Sequence, residues 1–223
     1  RPIGPSAQRP SGRKLTTCLC LIFMMFLVVG TGSAQPQWEV TFGGFGIERG
    51  HKAIPMTHTY DPAWIAVGST ESVGSLDTGY TMGDTGIYVC AATVSGSRMW
   101  EYRYDISGSS TDIAYSIIEL RNTPAYIVVG STAEYAFAMK IDTNGTEIWT
   151  QTYDIGLSAI AYDVIETTQG SGSTSAGDLI ICGRADYSPV NGGGNGFVMR
   201  TDASGVPIWL TVPKVGTVAP GSG

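Results

Sequence analysis

DTNGTEIW, from Asp142 to Trp149, pairs a turn-forming Asp and Gly with a Trp four residues beyond the Gly. The frame returns as DASGVPIW, from Asp202 to Trp209, and in looser form as SGSRMW, from Ser95 to Trp100. A Gly at that place supplies the positive φ a tight hairpin needs, and the Asp carboxylate can bond nearby backbone N–H groups. The turn then delivers the chain into a strand carrying a large ring. Burying such a ring removes about 150–250 Å² from water. We therefore read the Trp as packing between successive units, not as a ligand platform.

Aligned on Trp38, Trp100, Trp149 and Trp209, the chain resolves into repeats. The units cover about residues 38–99, 100–148 and 149–208, with the start of a further unit at 209–223. They share WIAVGST (Trp64 to Thr70), YIVVGST (Tyr126 to Thr132) and LIICGRA (Leu179 to Ala185). Each unit holds four short segments rich in β-branched and aromatic residues, bounded by turn residues; in the second these are WEYRYD, IAYSIIEL, YIVVGST and FAMKID. Alternation puts Phe137, Met139 and Ile141 on one face and Ala138, Lys140 and Asp142 on the other. YIVV is nearly continuous in apolar character, which predicts burial on both faces.

Four-stranded units of about fifty residues predict an all-β chain: a β-propeller segment of about three blades, an incomplete ring. The Trp strand is expected at the outer edge of its blade. Because the ending VGTVAPGSG stops where the next unit should continue, further blades from the same longer chain are expected. WEVTF (Trp38 to Phe42) has the character of the strand that would complete the last blade.

WTQTYD, AYDVIET and AYIVVGST, with KIDTNGTEIW, resemble secreted bacterial β-propeller repeat proteins. Their repeats carry W-x-K-x-Y-G-G, D-x-A-x-S-I, G-G-Y-I-V-x-G-x-T and K-x-D-x-x-G-x-x-x-W segments. The resemblance covers about residues 38–215 and implies a surface or extracellular propeller, often within a larger adhesin-like protein. The Tyr-Gly-Gly position reads YDI in two units, and only FGG at Phe42 to Gly44 is close. The Asp-to-Trp ending is also similar to the tryptophan-docking motif of quinoprotein-type propellers. The Asp-to-Gly gap there is one residue longer, and metal and quinone ligands are not found.

Composition agrees with strands and turns. Gly numbers 30, charged residues are 14% and the formal charge is −6. No basic cluster follows the N-terminal region, so a nucleic-acid partner is not expected. Arg9, Arg13 and Lys14 precede the apolar run CLCLIFMMFLVV (Cys18 to Val29) and then GTGSAQ. That order predicts a signal-peptide helix with its upstream extension over residues 1–34, cut between Ala34 and Gln35. The run is shorter than the roughly 20 residues of a spanning helix, so no stable membrane span is expected after cleavage. The mature repeats, 35–223, would then be secreted or displayed at the cell surface, extracellular or periplasmic.

Candidate chemistry is sparse. His51 and His58 lie seven apart, on opposite faces of a strand, which argues against a shared metal. Cys90 aligns with Met139 and Met199, and Cys182 with Val67 and Val129. Both cysteines are expected at core positions, without a bond between them. GGFGIERG (Gly43 to Gly50) lacks the spacing and the βαβ context of a dinucleotide loop. Asp105, Asp154, Asp142 and Asp202 recur with the unit, which suits turns better than one active site. Asn144-Gly145-Thr146 is a glycosylation sequon by pattern alone. No catalytic, cofactor-binding or metal-binding residue is assigned.

Insertions enlarge one end of the predicted ring. Gly43–Gly50, Ser107–Thr111 and Gly156–Ala159 should share a face with Glu71–Asp84, Ala133–Glu134 and Asp186–Asn195. Loops on a rigid scaffold are where ligands bind. Asp77, Tyr80, Asp84, Asp186, Tyr187 and Asn191 are the candidates for contact with a protein or carbohydrate ligand. The expected function is a non-catalytic interaction or structural module. The alternative is a propeller-type enzyme acting on glycans, a hydrolase or lyase.

Overall fold

The computed structural model describes residues 42–44, 46–59, 61, 63–71, 85–106, 108, 111–168, 176–186 and 194–212. The expected signal segment, residues 1–34, and Trp38 lie outside the described residues. Over the described residues the chain is all-β, with three four-stranded antiparallel sheets and no helix among them. The first sheet runs β1 (Glu48–Met56), β2 (Ala63–Thr70), β3 (Gly86–Thr93), β4 (Arg98–Tyr104). The second runs β5 (Asp112–Glu119), β6 (Ala125–Thr132), β7 (Tyr135–Asp142), β8 (Glu147–Tyr153). The third runs β9 (Ser158–Glu166), β10 (Leu179–Asp186), β11 (Gly194–Thr201), β12 (Pro207–Thr211). Strand order in every sheet follows chain order.

The Trp-to-Trp repeat is offset from the sheets by one strand. Trp100 lies in β4, which pairs with β3 through Ala91↔Trp100 and so closes the first sheet. Trp149 and Trp209 likewise sit in the last strands of the second and third sheets, paired with Lys140 and Arg200. WEYRYD therefore belongs with the strands before it, not with IAYSIIEL. The cause is local. A tight turn joins β3 to β4, where Gly96 N–H donates to Thr93 O at φ +83, and a reversal that short forces the two strands to pair.

The two later hairpin turns are built alike. Asp142 Oδ1 accepts from Asn144 and Thr146 N–H at 2.8 Å each. Asp202 Oδ1 accepts from Ser204 at 2.8 Å and Val206 at 2.9 Å. Gly145 and Gly205 hold φ of +84 and +79. In each outer hairpin the residue before the Trp is bulged out of register, at Met99, Ile148 and Ile208. That extra residue sets which face the indole takes.

The second sheet lies between the other two. All eight residues of β6 are buried, because both its faces are covered, as the continuous apolar run predicts. Tyr126, Val128, Phe137, Met139 and Ile141 pack with Ile65, Val67, Ile87, Val89 and Ala91 of the first sheet. Ile127, Val129, Ala136 and Ala138 pack with Leu179, Ile181, Phe197 and Met199 of the third. Inter-sheet contact runs mainly through first strands: β5 lies on β1, β2 and β3, and β9 on β5, β6 and β7. The sheets thus approach most closely at their first strands.

Side-chain size follows that geometry. Fully buried Ala114 and Ala161 sit on the first strands. The last strands carry Trp100 and Tyr104, or Trp149 and Tyr153, which reach the next sheet's turn. Trp100 Nε1 donates to Thr143 O at 3.2 Å. Tyr104 donates its hydroxyl to Gly145 O, and Tyr153 to Gly205 O at 2.9 Å. A Cβ built on Gly145 would meet the Tyr102 ring at 2.5 Å and the Trp100 ring at 3.0 Å, and one on Gly205 the Gln151 side chain and the Trp149 ring at 2.9 Å each. Each turn glycine thus seats the indole of the preceding sheet. Trp209 has no such turn against it among the described residues and is 41% exposed.

One expectation fails here. Cys182 is exposed, not in the core. Its counterparts Val67 and Val129 are buried because another sheet lies on their face. The equivalent face of the third sheet has none among the described residues. Cys90 is buried as expected, and both thiols are free. Burial, with the charge of Glu101 adding and Arg98 opposing, pushes the Cys90 thiol up to about 11.

Candidate functional site

The first strands β1, β5 and β9 each carry a bulge at an equivalent place, and the sequence reading missed all three. Register slips between Gly50 and Lys52, between Ala114 and Ser116, and between Ala161 and Asp163. His51, Tyr115 and Tyr162 are the extra residues. Opposite each bulge stands the glycine of the VGST or CGRA segment. A Cβ on Gly68 would lie 1.7 Å from Arg49 O; on Gly130, 1.9 Å from Ile113 O; on Gly183, 1.9 Å from Ile160 O. The bulge turns a carbonyl onto the neighbouring strand, and only glycine leaves room. A glycine inside an otherwise β-forming run was the available signal.

Bulges re-aim side chains, and these three meet. The His51 and Tyr115 rings are 5.0 Å apart, and the Tyr115 and Tyr162 rings 5.4 Å, edge to face. Tyr162 is 45% exposed and His51 is exposed. Tyr115 is half-buried, which raises its pKa against the opposing hydrogen bond with Ser131.

The next residue on each strand forms a second row. Lys52 Nζ donates to Ser116 Oγ at 2.9 Å and to Asp163 Oδ1 at 3.0 Å. Ser116 donates to the same Asp163 oxygen at 2.6 Å. Burial would raise the Asp163 carboxyl, but the bonds from Ser116, Lys52 and Val164 N–H and the Lys52 charge outweigh it and hold it below the ordinary value. Three sheets are therefore tied through one trio.

Further along, carboxylates link successive sheets. Glu119 of β5 accepts from Thr57 N–H at 2.8 Å, Thr57 Oγ1 at 2.7 Å and His58 N–H at 3.1 Å. Glu166 of β9 accepts from Arg121 N–H at 2.9 Å, the corresponding bond one sheet on. Burial acts to raise Glu119, yet the Thr57 and His58 bonds and the His58 charge bring it below its ordinary value. His58 Nε2 lies 2.7 Å from Leu120 O, while His51 is in the aromatic row, so the two histidines serve separate contacts. No group of three His, Cys, Asp or Glu residues placed to hold a metal occurs among the described residues.

The loop candidates divide. Asp77, Tyr80, Asp84, Tyr187 and Asn191 lie outside the described residues. Asp186 ends β10, where it accepts from Ser158 Oγ at 3.0 Å and Arg184 Nη2 at 2.8 Å. Leu157 N–H donates to Asp186 O, Ala133 N–H to Thr111 O and Glu71 N–H to Ile47 O. Asp112 N–H donates to Thr85 O and Ala159 N–H to Glu134 O, which aligns the three sheets at this end. The ends of β1, β2 and β3 near the first insertion thus lie with those of β9, β10 and β11 near the second.

No protein-family model matches the chain, and no curated protein matches it.

Proposed function

We propose that the chain is a β-propeller segment of an exported or surface protein and acts as a non-catalytic interaction or structural module. What supports the ring is recurrence: the same turn-to-Trp and Tyr-to-turn contacts join the first sheet to the second and the second to the third. Repeating one such step turns the chain about a common axis. On this reading the faces of the first and third sheets that no other sheet covers among the described residues are seats for further sheets of the same kind, and Trp209 sits where a further turn glycine would pack. Export rests on the charged, apolar and small-residue order of residues 1–34.

The observation that carries the non-catalytic reading is the use of the carboxylates. Glu119 and Glu166 hold backbone N–H groups of the preceding sheet, and Asp142 and Asp202 hold their own turns. They recur with the sheet, whereas a glycan-cleaving enzyme needs one acid–base pair set apart from the repeat. The test is incubation of the full chain with a panel of plant, bacterial and animal polysaccharides, with released saccharides followed by mass spectrometry. The reading expects no release. Saccharide release that disappears with a single carboxylate-to-amide change would overturn it in favour of a hydrolase or lyase.

A further inference from the structure

We propose that the row His51–Tyr115–Tyr162, with the trio Lys52–Ser116–Asp163 beside it, is a binding site for a neutral sugar chain. This deepens the interaction reading, on which it rests, by naming the surface and the ligand class. Three independent features point to it.

The first is the construction of the row. Every first strand spends a bulge, and the partner strand a glycine, to place one ring at this position. The hydrophobic clusters between the sheets do not include these rings. Tyr162 leaves 45% of its surface in solvent and His51 is exposed, while Tyr115 between them is half-buried. His51 and Tyr115 are tilted at 45° with centroids 5.0 Å apart, and Tyr115 and Tyr162 meet edge to face at 5.4 Å, so three neighbouring strands bring their rings together at one place. The C–H faces of pyranose rings fit the exposed parts of such rings.

The second is the polar row. It places an ammonium, a hydroxyl and a carboxylate within 3.0 Å of one another beside the rings. The ammonium carries a third N–H, and the carboxylate, which also takes the Val164 N–H, has lone pairs beyond these bonds, so the trio can donate to and accept from vicinal hydroxyls. Lys52 and Asp163 are both partly in solvent, with 34% and 53% of their side-chain surface exposed.

The third is charge. Lys52 and Asp163 cancel, and Glu119 of β5 is engaged by Thr57 and His58. The charges of the polar row are thus paired with each other, which favours neither an anionic nor a cationic ligand. A neutral polyhydroxylated ligand is the class that matches.

The experiment titrates the full chain with cellotetraose, maltotetraose, mannotetraose and tetragalacturonate, read by calorimetry and saturation-transfer NMR. Two variants accompany it: Tyr162→Ala, which removes the exposed end of the row, and Trp64→Ala, which removes an aromatic that is 43% exposed elsewhere, on β2. Circular dichroism melts check that both fold. The expected result is binding of at least one neutral tetrasaccharide, weakened by about tenfold or more in Tyr162→Ala and unchanged in Trp64→Ala. Neutral binding that ignores Tyr162→Ala overturns the site while leaving a glycan-binding module intact. Binding of tetragalacturonate alone overturns the ligand class. Absence of binding by all four overturns the proposal and leaves the interaction reading to a protein ligand.

Discussion

Gly130→Ala tests the link between the strand glycine and the bulge. Gly130 lies mid-β6, with both sheet faces covered, and any side chain at that position would enter occupied space. The added Cβ would sit 1.9 Å from Ile113 O, 2.7 Å from the Phe137 ring and 2.9 Å from Ile113 C. Contacts under 3.0 Å are not sustained by real Cβ atoms, so the carbonyl must recede by about an ångström or more. The obstacle is backbone, with no rotamer to relieve it. Withdrawing Ile113 strains the Gly130↔Ala114 pairing and disturbs the Tyr115 bulge. Overpacking that moves backbone costs about 3 kcal/mol. Gly50→Ala is the matched control, because its Cβ would meet nothing within 4 Å, and it should change stability by less than about 0.5 kcal/mol. Urea denaturation followed by far-ultraviolet circular dichroism, with near-ultraviolet bands for the tyrosines, reads both. Gly130→Ala within about 0.5 kcal/mol of the parent would refute the steric argument.

Two further outcomes follow from the inter-sheet bonds. Tyr153→Phe leaves the buried Gly205 carbonyl without its hydroxyl donor and should cost about 1–2 kcal/mol in urea titration, with Tyr104→Phe costing a similar amount at Gly145; an effect at one site only would contradict their equivalence. Glu119 and Asp163 titrate below their ordinary values of 4.5 and 3.8 in the folded chain, so they stabilise it fully above those values. That stability is lost as pH falls through the depressed folded values, and Glu119→Gln combined with Asp163→Asn should flatten the acid limb of melting temperature against pH.

Much of this architecture was legible in the residues. D-x-x-G fixes a hairpin by geometry at Asp142 and Asp202, and alternation in FAMKID gave the faces of β7 correctly. The grouping of strands was less legible, because a periodic sequence has no intrinsic starting point. The short Thr93–Gly96 turn was the clue that β4 belongs with β3. Cys182 misled because equivalent positions are buried only where a neighbouring sheet covers them, as it does for Val129 but not for Cys182. The aromatic row escaped notice for another reason. A bulge breaks the period of two on which strand reading depends, and His51, Tyr115 and Tyr162 align only once Gly68, Gly130 and Gly183 are recognised as its partners.

Each sheet's turn glycine packs against the tryptophan of the sheet before it, at Gly145 with Trp100 and at Gly205 with Trp149. Fluorine NMR of the chain labelled with 5-fluorotryptophan, each resonance assigned by Trp→Phe substitution, measures this directly. Gly145→Ala should shift the Trp100 signal and leave Trp149 in place, while Gly205→Ala should shift Trp149 and leave Trp100, with Trp209 unmoved by Gly145→Ala. Resonances of Trp100 and Trp149 that ignore these changes, or that move together in both variants, would contradict the stacked arrangement of equivalent sheets.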